Sequence, residues 1–301
     1  MTLDIDRPFR ARDAAAAKIS RRRLQSDEFR RLARGIYISP RVRVDARVEA
    51  EAALMVAGRG AFASHHLAAR LHGGIVPDVA PLHVSVPRGR HRSRVRDVIV
   101  HESSRTPVKW QGLLVTSPED TFVDLAAHLD LVDLVILGDS LVRRGRTTVG
   151  RLTAAVASGP SGHRALAIRA AALVREQVDS AMETRTRLLV VLAGLPEPEV
   201  NICFRDEYGH VVRRIDLGYR RHRLGIEYDG RHHVEVVDQW HRDIARDEEF
   251  DELRWRRVKV VSPDIFRSPE RTLDRIVSAM KQQGMRVPPR SDEWRAHFRG
   301  R

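Results

Sequence analysis

The sequence predicts an α/β chain in three blocks: a small basic helix-and-strand module over residues 1–48, an α/β middle region over 49–165, and a C-terminal mixed sheet flanked by helices over 166–301. Three observations predict it. At 301 residues the chain is too long for one compact core. Hydrophobic residues make up 42% and charged residues 31%, the balance of a folded globular protein. Capped helical stretches also alternate with short strand-like runs set off by Gly and Pro.

Charge narrows the partners. The formal net charge is +13, and only Lys18, Lys109, Lys259 and Lys281 among the 53 basic residues are lysines. A GC-rich genome accounts for arginine over lysine, but not for positive over negative charge. The excess points to a polyanion, with double-stranded DNA as the expected partner. No basic amphipathic helix with a bulky apolar face appears, and no apolar run approaches the roughly 20 residues of a membrane span, so no membrane partner is expected. The first residues carry acids and no apolar segment. The single cysteine, Cys203, excludes an internal disulfide and a Cys-based zinc site. A cytoplasmic location is expected.

In the first block, Phe9 to Ile19 is alanine-rich and reads as helix. Ser20 is a candidate N-cap, Arg21 to Arg34 reads as a second helical stretch or a pair of them, Gly35 stops it, and Ile36 to Ile38 reads as a strand. This is the outline of a winged-helix DNA-binding module whose second helix enters the major groove. Arg21, Arg22 and Arg23 would then meet phosphates or base edges.

In the middle block, Val48 to Ala57 and Ser64 to Leu71 read as helices, and Leu82 to Val86, Val98 to His101 and Leu113 to Thr116 as strands. Ser117-Pro118-Glu119-Asp120 is a cap with proline at the first helical position, opening a helix to about His128. Leu131 to Arg144 is another helix. His65, His66 and His72 lack a carboxylate or cysteine partner at ligand spacing, so packing or surface roles are expected. The basic stretch from Arg88 to Arg94 is either a backbone-contacting loop or a solvated one.

The third block opens with helices over Arg164 to Val178 and Ser180 to Ala193, with Glu183 in the first turn of the latter. Strands follow at Val200 to Arg205, His210 to Tyr219 and Arg223 to Asp229. A hairpin turning about Arg220 and Arg221 would set residue 216 against residue 225, leaving Glu227 diagonal to Asp216 on the same face, with Asp229 one alternation beyond. Three carboxylates converging on one face repel, so a hard divalent cation, Mg²⁺ or Mn²⁺, is expected there. Such an ion would polarise a phosphodiester and acidify a bound water, and His233 could move the proton. A last strand, Trp255 to Val261, a closing helix, Pro269 to Gln282, and a basic tail complete the chain.

These residues carry a resemblance. METRTRLL, RIDLGY, LGIEYDGRHH, QWHRDIARDEEF and WRRVKVV, between residues 182 and 261, resemble the domain family related to very-short-patch repair endonucleases, within the PD-(D/E)xK nuclease superfamily. RRRLQSDEFRRLARGIYIS resembles the N-terminal winged helix of AbiEi-type antitoxins and regulators. The resemblance implies a restriction-endonuclease-like sheet with Asp216 and Glu227 as metal ligands, Asp229 beside them, and Glu183 as a helix carboxylate reaching the metal through water. Asp229 stands where the superfamily carries its catalytic lysine. His233 resembles a histidine of the repair enzymes, and Arg242 or Arg246 could be recruited to the site or pair along their own helix with Asp243 and Asp247. Two functions follow as expectations: a Mg²⁺-dependent DNA endonuclease delivered by a winged helix, or a DNA-binding regulator or antitoxin-like protein on an inactive nuclease fold. RNA is a further possible substrate, since nothing in the sequence reads a 2′-hydroxyl.

Overall fold

The computed structural model describes residues 3–78, 81–89, 97–159, 162–230 and 253–299. The chain is α/β, with mixed sheets and flanking helices. Its contacts group into two compact units, Met1–Leu129 with Arg144–Ala172, and Asp130–Arg143 with Leu173–Arg301. The three blocks expected from the sequence thus merge differently: the basic module and the middle region share one unit, and a helix from the middle joins the C-terminal sheet.

The first unit begins with a three-stranded sheet in the order β1-β3-β2, from Phe9–Arg10, Ile36–Ile38 and Arg30–Ala33. Helices α1 (Ala11–Ala16) and α2 (Arg21–Leu24) lie between β1 and β2. Ser20 caps α2 as expected, its Oγ accepting from Arg23 N at 3.3 Å. The predicted long helix does not form. Arg30–Ala33 is instead a strand, because Gly35 turns the chain at φ +75° and folds it into a hairpin that buries Ala33, Ile36 and Ile38. Burial of these side chains outweighs local helix propensity. Phe9, Ala14, Leu24 and Phe29 form the core beneath, with the two phenyl rings edge to face at 5.5 Å.

A five-stranded sheet follows in the order β6-β5-β4-β8-β7, built from Val98–Ser103, Leu82–Pro87, Phe62–Ala63, Leu113–Val115 and Val108–Trp110. Helices α3 (Ala46–Ala57) and α4 (His65–Leu71) bury Ala50, Ala53, Leu67 and Ala68 against Val84, Val86 and Val100. The Ser117 cap opens α5 (Pro118–Leu125) as read, accepting from Asp120 N at 3.0 Å. Helix α7 (Val149–Ser158), which the sequence reading passed over, and α8 (Arg164–Leu173) complete the unit.

The second unit is a four-stranded sheet in the order β12-β11-β10-β9, from Arg256–Val260, Leu224–Tyr228, Val211–Tyr219 and Glu199–Arg205. β9, β10 and β11 are an antiparallel meander, and β12 runs parallel to β11. Helices α6 (Leu131–Arg143), α9 (Ala181–Leu192), α10 (Ser262–Phe266) and α11 (Pro269–Gln282) belong to this unit. α6 docks on α9 around an arginine with no exposed side-chain surface: Arg187 pairs with Asp139 at 3.0 Å and Glu197 at 3.2 Å, and donates to Leu173 O at 2.9 Å. Asp139 also accepts from Arg175 N at 2.7 Å and Thr184 Oγ1 at 2.8 Å, so the buried charge is bonded from several sides.

Candidate functional site

The expected acidic site lies on β10 and β11. Their ladder reads Leu217↔Ile226, Gly218↔Gly225 and Tyr219↔Leu224. Residue 225 therefore faces 218 rather than 216, because the connection is a full 3₁₀ turn over Arg220–His222 closed by Arg223 at φ +50°, not a two-residue turn. Close packing requires the glycine at 218: a Cβ there would meet Leu224 O at 2.5 Å. This register sets Asp216 and Glu227 just beyond the last pair, Leu217↔Ile226, rather than in the diagonal relation expected. The ladder stops at that point, and Asp216 Oδ2 accepts the backbone N–H of Tyr228 at 2.9 Å.

Glu227 is buried and paired. Arg257 on β12 donates from Nη1 to its Oε2 at 3.1 Å, both side chains being 9% exposed. Parallel pairing of β11 with β12 sets Lys259 in register with Glu227, so an ammonium shares the face of that carboxylate. Asp229 lies just past the end of β11, its N–H donating to Val260 O at 2.8 Å. Glu183 closes the start of α9: its Oε2 accepts from Asp179 N at 2.9 Å while its own N–H donates to Ser180 Oγ at 3.2 Å. Burial pushes its carboxyl above the usual range, against the backbone hydrogen bond from Asp179. Strand register thus places Asp216, Glu227 and Lys259 on three successive strands, with Lys259 paired to Glu227, whereas Glu183 is engaged in its own helix cap. His233, Arg242 and Arg246 lie outside the described residues, as do Asp243 and Asp247.

In the basic module, Arg21, Arg22 and Arg23 occupy the single turn of α2 and are exposed. Arg23 is held by Glu28 at 2.7 Å. Of the Arg88–Arg94 stretch, Arg88 and Gly89 are described and lie in a turn.

A second cluster was not anticipated. Among the described residues, one group of three or more His, Cys, Asp or Glu has ligand atoms all within 4.8 Å of one another, and it is His65, His83 and His101; Asp216, Glu227 and Asp229 do not close into such a group. His65 opens α4 at φ +53°, a left-handed conformation that costs a non-glycine residue on the order of 1–3 kcal/mol. His83 is on β5 and His101 on β6, parallel neighbours paired Ser85↔His101 and His83↔Ile99, which puts both rings on one face. His83 Nδ1 and His101 Nε2 are 3.1 Å apart, the His65 ring stacks on His101 at 4.0 Å, and His128 stands edge-on to His65 at 5.0 Å. Burial pushes His66 and His83 down to about 4 and His65 further, the neighbouring imidazoles adding to the effect. His72, by contrast, has the packing role expected of it, bonded through Nε2 to Thr116 O at 2.8 Å. A histidine alternating with the core valines on each of two strands is the available signal; its partners are other histidines rather than a carboxylate or cysteine.

No protein-family model matches the chain. Two uncharacterized proteins of Mycobacterium tuberculosis, MT2308 of strain CDC 1551 / Oshkosh and Rv2248 of strain ATCC 25618 / H37Rv, are 26% identical to it over 226 residues, covering 72% of this chain and 80% of each relative. Among solved structures, the RV2827C protein of M. tuberculosis is similar with a TM-score of 0.38 and 14% identity, over 60% of this chain and 75% of that one.

Proposed function

We propose that this chain is a metal-dependent DNA endonuclease in which the basic N-terminal module binds the duplex and the C-terminal sheet hydrolyses a phosphodiester bond. The observation that carries the reading is the placement of Asp216, Glu227 and Lys259 on three adjacent strands, with Lys259 the register partner of Glu227. The lysine missing at position 229 thereby has a counterpart one strand away, at the register partner of Glu227.

The donor set fits Mg²⁺ or Mn²⁺, which take carboxylate oxygens and are commonly held by one or two carboxylates with water and phosphate completing the shell. Asp216 and Glu227 would hold the ion, and bound there it would polarise the phosphodiester and lower the pKa of a water. The chain's own groups do the rest. The Tyr228 amide fixes one oxygen of Asp216, and Arg257 fixes one oxygen of Glu227. Lys259 would stabilise negative charge as it develops on the phosphate. Asp229 stands at the strand end beside them, and His233 is the proposed proton carrier on sequence grounds.

A second reading, a DNA-binding regulator on an inactive nuclease fold, is favoured by the Glu227–Arg257 pair, since a carboxylate already matched by a guanidinium has less need of a cation. One experiment separates them. Purified protein with Mg²⁺ or Mn²⁺ should nick supercoiled duplex DNA, and Asp216→Asn should stop nicking while leaving DNA binding unchanged. Salt-sensitive binding with no nicking in either metal leaves the regulator reading.

A further inference from the structure

We propose that His65, His83 and His101 form a second metal site, in the first unit, for a late divalent transition ion of the Zn²⁺ class. The site shares no residue with the acidic strands and does not depend on the nuclease reading.

Three features of the geometry argue for it. The first is spacing. Two imidazole nitrogens bound at about 2.0–2.1 Å to one tetrahedral zinc sit roughly 3.3 Å apart; His83 Nδ1 and His101 Nε2 are 3.1 Å apart, with a His65 nitrogen within 4.8 Å of both. The second is orientation. Ser64 Oγ accepts the Ser85 hydroxyl at 2.8 Å and lies 3.0 Å from His65 Nδ1. Its second lone pair can take the Nδ1 proton, which leaves the Nε2 lone pair of His65 for the ion, the usual arrangement behind a metal-bound histidine. The third is the backbone. His65 is held left-handed at the first position of α4, with its ring over His101 rather than directed along the helix surface. Packing alone gives no reason to hold a histidine in that conformation against other imidazoles.

The chemistry of the donors selects the ion. Imidazole nitrogen suits Zn²⁺ and its neighbours and is a poor match for Mg²⁺, which takes oxygen. Three protein ligands leave a fourth position. A cavity of about 240 Å³ adjoins His65 and His101 and is bordered by His128 and by Asp124, so the fourth position is open to His128 or to a water or small anion.

Full-length protein stripped with a chelator and titrated with Co²⁺, as a spectroscopic stand-in for Zn²⁺, should develop the visible absorption of one tetrahedral nitrogen site per chain, and Zn²⁺ should abolish that absorption. His101→Gln should weaken binding at the tetrahedral site by more than about 100-fold, exceeding the roughly 10-fold expected for loss of the orienting hydroxyl in Ser64→Ala. No tetrahedral cobalt spectrum, or one that survives His101→Gln, overturns the proposal. Should that variant fail to fold, long-range ¹H–¹⁵N spectra of the wild-type imidazoles decide: Zn²⁺ must shift three rings together, and a shift of one ring or none overturns it.

Discussion

The acidic strands of the second unit and the histidine cluster of the first solve opposite problems with the same means, neighbouring strands in register. On β10 to β12, like-charged carboxylates are made tolerable by cations from the chain, Arg257 in contact with Glu227 and Lys259 beside it. On β5, β6 and the start of α4, three imidazoles are packed with their nitrogens toward one another and no carboxylate among them. Under the proposed function the first would hold a hard ion with a countercharge of its own beside it. The other offers soft-to-borderline nitrogen in a largely buried place. Net positive charge, the property most visible in the sequence, distinguishes neither.

That contrast can be broken by substitution. The largest effect is expected at the carboxylates: Asp216→Asn or Glu227→Gln should lower nicking by about 10³-fold or more, several kcal/mol of transition-state stabilisation, without altering the tetrahedral cobalt absorption. Lys259→Ala should cost about 10²-fold in the same assay, the scale of one lost stabilising donor, while Lys259→Arg recovers part of it. Arg257→Ala should destabilise the fold by about 1.5–3 kcal/mol, read as a lower urea midpoint, because a buried carboxylate loses a charge-assisted bond. Replacing Arg21, Arg22 and Arg23 together should flatten the slope of log affinity against log salt by roughly 3 while sparing nicking at low salt. The smallest effect sharpens the comparison most: His101→Gln should change nicking less than about twofold, and a larger loss would tie the two regions to one chemistry.

What the sequence made legible was local. Ser117 ahead of Pro118 and Ser20 ahead of its arginines each cap a helix as expected, although the one after Ser20 is a single turn, because the signal and its consequence lie within one turn. Arg30–Ala33 was read as helix because its strand partner is reached only through the left-handed Gly35. The hairpin register was misjudged by two residues at 216 because Arg223 takes a left-handed conformation that nothing in an arginine announces. Lys259 and the histidines were missed for another reason. Their neighbours are set by parallel pairing of β11 with β12 and of β5 with β6, and parallel strands are joined through long connections that leave no short-range pattern.

The arginine sealed between α6 and α9 bears on how this protein can be taken apart. Because α6 leaves the first unit at residue 130 and the chain returns at 144 before crossing again at 173, the backbone passes between units three times, and no single cut yields two intact halves. A fragment starting at Leu173 keeps Arg187 with Glu197 and Leu173 O but discards Asp139, its most deeply buried charge partner. Losing one partner of such a pair costs about 3–5 kcal/mol, a large share of what holds a domain of this size together. The C-terminal half is therefore no portable cassette, and swapping it between proteins would require carrying α6 along.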